Sequence, residues 1–113
     1  MELEVGTKID ITKIGCRKFD PSETVRTLKY YGGWQGMGSW GAKNLTQYNN
    51  QVLKMTVSGR VHSGHVYITL NGMDLYDVVL CSNRGTIKKV ITDLYFDQLF
   101  EVMDREIETP SKY

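Results

Sequence analysis

The sequence predicts an α+β domain: a four-stranded antiparallel meander covered by an N-terminal and a C-terminal helix, in the order α-β-β-β-β-α. Three observations carry that prediction. Residues 51–91 alternate apolar and polar with period two, broken by short turn signals. Residues 93–107 return to helical spacing, and residues 20–23 hold a helix start signal. At 113 residues the chain is one domain, assigned to 20–108, with an N-terminal extension over 1–19 and a tail over 109–113.

The first helix opens on Asp20 as N-cap, with Pro21 at the first helical position and Glu23 three residues after the cap. Val25, Leu28 and Tyr31 form its apolar stripe, and Arg26 and Lys29 face solvent. Gly32-Gly33 predicts its end, because glycine tolerates the left-handed conformation that closes a helix. In the strands, Leu53, Met55 and Val57 alternate with polar residues, as do Val66, Ile68 and Leu70, then Tyr76, Val78 and Leu80. A fourth strand is expected at Thr86–Ile91. Ser58-Gly59, Ser63-Gly64, Asn71-Gly72 and Asn83-Arg84-Gly85 bound these runs. Connections this short join antiparallel neighbours, with one dry face and one wet face. Phe96, Leu99, Phe100, Met103 and Ile107 make the stripe of the last helix, with Asp93 as its expected cap. The extension alternates weakly through Ile9 and Ile11, with Ile14 out of register, and predicts a short strand near 8–14 or a loosely attached arm.

Composition excludes several classes. A net charge of +1 gives no bulk field for a polyanion. Cys16 and Cys81 lie far apart and outside any CxxC, which fits free thiols in a reducing compartment. No apolar run is long enough to cross a membrane. The acidic start Met1-Glu2-Leu3-Glu4-Val5 has no signal-peptide core, so a cytoplasmic setting is expected.

Residues 30–44 hold five of the eleven glycines and both tryptophans. Gly36-x-Gly38-x-x-Gly41 matches a dinucleotide fingerprint as a string. That motif needs a strand before the glycines and a helix after them, and here the predicted order is reversed. A P-loop needs Lys directly after the last Gly, and Ala42 intervenes before Lys43. No cofactor is expected. His62 and His65 flank a turn with no third ligand near them in sequence, and read as two solvated histidines. Asp74 and Asp77 are three apart, so a strand would send them to opposite faces. No nucleophile sits beside a base, and no catalytic or metal residue is assigned. Arg60, Arg84, Lys88 and Lys89, with aromatic residues near them, are the candidate set for nucleic acid, against interleaved Asp74, Asp77 and Asp93.

The string resembles a group of small proteins encoded by bacteriophages, prophages and other mobile elements. The matching residues are Gly32-Gly33, then Gly41-Ala42-Lys43-Asn44, Ile68-Thr69-Leu70-Asn71, Asp74-Leu75-Tyr76-Asp77 and Asp93-Leu94-Tyr95-Phe96 with Leu99, over about residues 22–107. The chain departs from the group at Gly36, where the group tends to have an aromatic, and in its first nineteen residues. The resemblance implies origin and fold and carries no chemistry. It places the chain in the cytoplasm of a bacterial host. With no catalytic constellation, the expected role is a non-enzymatic protein-binding module, in its most specific form an inhibitor of a host defence system. A nucleic-acid-binding accessory is the alternative, and an enzyme with an unrecognised site the third reading. The expected contact residues are Tyr31, Trp34, Gln35, Met37, Trp40 and Lys43, because aromatic residues in adaptable backbone suit a contact surface. A homodimer through the thinly charged edge at 36–44 is a further expectation.

Overall fold

The computed structural model describes residues 3–14 and 17–108, and for 33–39 the backbone alone. The elements are α1 (Ile11–Ile14), α2 (Pro21–Ser39), β1 (Lys43–Tyr48), β2 (Val52–Ser58), β3 (Ser63–Leu70), β4 (Tyr76–Cys81), β5 (Ile87–Leu94) and α3 (Phe96–Ile107). All neighbouring strands are antiparallel, and the sheet runs β1-β2-β3-β4-β5. The class and the meander are as predicted, but there are five strands rather than four. The additional strand is β1, whose sequence Lys-Asn-Leu-Thr-Gln-Tyr has no apolar alternation because nearly all of it is exposed. It turns into β2 through Asn49 and Asn50, both at φ 54°, the left-handed backbone of a tight hairpin.

The alternation predicted for the central strands sets the core. Leu53, Met55, Val57, Val66, Ile68, Val78 and Leu80 point to one face, where Leu28, Leu99, Met103 and Ile107 of the helices meet them. Each such side chain stabilises the fold by about 1.5–3 kcal/mol of burial. The predicted start of α2 is present. The Asp20 carboxylate accepts from the Ser22 N–H at 3.0 Å, and the helix begins at Pro21.

The predicted end of α2 is not. The helix runs through Gly32-Gly33 to Ser39. A Cβ at Gly32 would overlap the Phe100 ring of α3. The glycine is there for a close helix–helix approach, not for a cap. Mid-helix glycine costs about 1 kcal/mol, which the packed ring offsets. The inward line on α2 is accordingly the buried Thr24 and Leu28 and the half-buried Gly32, and Tyr31, expected on the stripe, is 41% exposed. The Thr24 and Tyr76 hydroxyls share a hydrogen bond at 3.0 Å.

Trp40, just beyond the helix, is completely buried. It stacks on Phe100 with ring centroids 5.1 Å apart, and its Nε1–H donates to Asp104 Oδ1 at 2.9 Å. This satisfies the indole donor in a dry site.

The extension departs from its predicted strand. Isolated bridges join Lys8 to Thr86 and Arg17 to Leu70, with α1 between them. The second face, expected to be wet although Val79 and Cys81 make it half apolar, is also corrected. Val52, Tyr67, Val79, Cys81 and Ile87 are buried on the second face, where Ile14 and the partly buried Ile9 and Ile11 cover them. Gly6 N–H donates to the Ile87 carbonyl, Ile87 N–H to that of Thr7 and Ile9 N–H to that of Gly85, each at 2.8 Å. Ile14, out of register for a strand, is the fully buried anchor of this segment.

At the far end, Asp93 does not cap α3. It lies in β5 at φ 61°, and its N–H donates to Asp77 Oδ1 at 3.0 Å. The helix starts one turn signal later, with Gln98 Oε1 accepting from the Tyr95 N–H at 3.1 Å. Leu99, Met103 and Ile107 are buried as predicted, whereas Phe96 is 59% exposed. The β2–β3 connection closes the helix C-terminus. Val61 and His62 N–H groups both donate to the Ile107 carbonyl, at 2.8 and 3.1 Å. A Cβ at Gly59 would overlap that carbonyl.

Three substitutions test this packing by urea unfolding. Gly32→Ala should destabilise by about 1–3 kcal/mol through overpacking, despite alanine's better helix propensity. Gly72→Ala, where a Cβ meets nothing within 4 Å, should stay within about 0.5 kcal/mol of wild type. Ile14→Ala should remove about 2–4 kcal/mol. A loss no larger than that of a surface change would show that the extension is not part of the core.

Candidate functional site

Of the residues expected to contact a partner, two are exposed, one is buried and three have side chains outside the described residues. Tyr31 is exposed on α2, and Lys43 is exposed at the start of β1. Trp40 is withdrawn from that set: an indole that is wholly buried, stacked and hydrogen-bonded is not available to a partner. The side chains of Trp34, Gln35 and Met37 lie outside the described residues. Gly36 and Gly38 are in the last turn of α2, and β1 follows Gly41, so no helix N-terminus meets these glycines. The edge expected at 36–44 begins only at Lys43, because the residues before it are helical or turn.

Tertiary packing instead gathers aromatics that the sequence keeps apart. Tyr30 is 80% exposed, Tyr95 60% and Phe96 59%. The Tyr30 and Tyr31 rings meet edge to face at 5.0 Å, and Tyr31 meets Phe96 at 6.2 Å. The ridge spans α2 and the first turn of α3. Phe96 was hidden in the helical stripe; its position before the first buried turn was the only clue that it stays outside.

Nearer the start of α2, a groove of about 370 Å³ separates its first turns from β1, lined by Val25, Arg26, Leu45, Thr46, Gln47 and Leu53 among others. Sequence reasoning missed it because it depends on β1.

The cationic set is divided. Arg60 pairs with Glu108 at 3.4 Å, and Lys89 Nζ reaches both carboxylate oxygens of Glu106 at 2.8 Å. Arg84 and Lys88 are exposed with no ion pair among the described residues. Half of the set is thus neutralised by α3, which weakens any phosphate footprint.

Asp74 and Asp77 make separate contacts, but not by the strand alternation expected, because Asp74 lies in the turn before β4 at φ 62°. Asp74 pairs with Arg17 at the surface. Asp77 is buried, and its Oδ1 accepts from the Asn71 side-chain amide and from the Asp93 N–H, both at 3.0 Å. The same Asn71 amide donates to Asp93 at 2.9 Å, while Asn71 Oδ1 accepts from Met73 N–H at 2.9 Å and Leu75 N–H at 3.3 Å. This network ties the β3–β4 turn to β5.

The histidines are not two solvated turn residues. His65 Nδ1 lies 3.4 Å from the Thr56 hydroxyl. His62 Nε2 is buried with no hydrogen-bond partner among the described residues. Burial lowers the His62 pKa below the usual histidine value, nearby Lys88 and His65 lower it further, and backbone groups of His65 and Cys81 oppose the shift. Among the described residues no three His, Cys, Asp or Glu side chains are placed to hold a metal. Cys81 is a buried free thiol pushed up to about 11 by burial, so it is protonated at neutral pH. Cys16 lies outside the described residues. No described helix is long and apolar enough to cross a membrane.

The depressed His62 pKa links stability to pH. As pH falls through about 6.5, the unfolded chain protonates before the folded one, so stability present above that value is lost towards the folded pKa. His62→Gln should flatten the fall in urea midpoint between about pH 7.5 and about pH 5. An unchanged slope would show that the ring is as wet as in the unfolded chain.

No protein-family model, no curated protein and no solved structure matches this chain.

Proposed function

We propose that the chain is a non-enzymatic protein-binding module. The observation that supports this reading is the aromatic ridge of Tyr30, Tyr31, Tyr95 and Phe96. A soluble domain hides large rings unless something else covers them, and contiguous exposed apolar surface marks contact sites. Tyrosine and phenylalanine supply much area with few rotatable bonds, which suits interface anchors. The titratable groups support the same reading. Asp77 is committed to Asn71 and Asp93, Cys81 is protonated, and Arg60 and Lys89 are paired with glutamates.

The resemblance of residues 22–107 to mobile-element proteins directs the search to partners from a bacterial host or its phage. An inhibitor of a host defence system is the specific form we propose.

Affinity capture on the immobilised chain tests this. A partner retained by wild type should bind about thirtyfold more weakly to the Tyr31→Ser, Phe96→Ser double variant. Both residues are exposed, so the variant should keep its urea midpoint. Retention of the same proteins by both forms would remove the ridge as the contact surface, and retention of none by wild type would remove the reading.

A further inference from the structure

The sheet ends on one side in a strand whose edge is unoccupied by any described element. Lys43 to Gln47 are all exposed, and β1 pairs with β2 alone. Backbone N–H and C=O groups on its outer edge point away from the sheet, which is the template that an added strand uses. α2 packs chiefly on α3, and the space left beside β1 is the groove of about 370 Å³ described above. Gln47 stands opposite Leu53, and Leu53 points into the helix-side core. Leu45 and Gln47 both line the groove on that side.

The lining sets the chemistry of the occupant. Val25, Leu45 and Leu53 give the groove apolar walls, and Leu45 is 42% exposed. Arg26 is the one charged residue of the lining, is exposed, and has no ion pair among the described residues. An aliphatic side chain fills such a slot, and a carboxylate beside it meets the guanidinium. The register shift between Lys43 and Thr46 confines regular pairing to Thr46–Tyr48, so the added strand is short.

We propose that this groove takes an extended segment of a partner protein, with an aliphatic side chain next to a carboxylate, which adds outside β1 as a sixth strand. The assignment rests on the protein-binding reading but uses a surface separate from the aromatic ridge.

Short random peptides displayed on a carrier and selected on the intact chain provide the probe. Enriched peptides should combine an aliphatic residue with a nearby Asp or Glu. Leu45→Asp should weaken them by about tenfold or more. Arg26→Glu should weaken them similarly and, used as the bait, should enrich Lys or Arg instead. Both changes are at surface positions, and the charge-reversed selection reads specificity rather than mere loss. No enrichment, or peptides that bind both variants as tightly as wild type, would overturn the proposal. So would a wild-type dimer in sedimentation that Leu45→Asp dissociates, since the occupant would then be a second copy. A protein partner lost with the Tyr31→Ser, Phe96→Ser double variant but kept by Leu45→Asp would remove this groove and leave the protein-binding reading standing.

Discussion

Where α2 crosses α3, the Phe100 ring lies against a glycine on one side and an indole on the other, and the placement of both helices depends on that contact. Gly32 offers no side chain, so the ring approaches the α2 backbone directly. Trp40 then stacks on the ring and bonds to Asp104 on the same helix. With Leu28, Leu99, Met103 and Ile107 this places both helices over one face of the sheet. Burial of Trp40 with its indole satisfied, against the partly buried Phe100 ring, outweighs the unfavourable helix propensity of the glycine-rich segment. The helix therefore continues where local rules would end it.

That crossing also distributes the surface. Because α2 leans on α3, it leaves β1 without helical cover and opens the groove beside it. The same pairing brings Tyr30 and Tyr31 of one helix to Phe96 of the other. The exposed aromatic ridge thus lies where α2 meets the first turn of α3, and the apolar groove lies between α2 and β1 with Arg26 in its lining. Polar groups elsewhere hold connections in place. Asn71 bonds to Asp77 and Asp93, and the 59–62 turn closes α3 through the Ile107 carbonyl.

The second sheet face shows how a weak pattern can conceal a strong constraint. Val79 and Cys81 made that face half apolar in the sequence, but nothing local said what covers them. The answer is the extension, through Ile9, Ile11 and the fully buried Ile14. A strand reading failed there because the segment crosses the face with isolated bridges and a short helix rather than pairing along it.

The sequence by itself determined what depends on near neighbours in the chain: the Asp20–Pro21 start of α2, the alternation of β2, β3 and β4, the tight turns, and the Leu99–Met103–Ile107 face of α3. Periodicity and capping are local, so they are legible. Tertiary structure alone decided what depends on distant partners. Gly32 became a contact rather than a stop because of Phe100, and Trp40 became core because of α3. The exposed strand β1 exists by pairing with β2, since an edge with both faces wet needs no apolar pattern. Both candidate contact surfaces are made of residues far apart in sequence, and only the α2–α3 crossing brings or holds them where a partner can reach them.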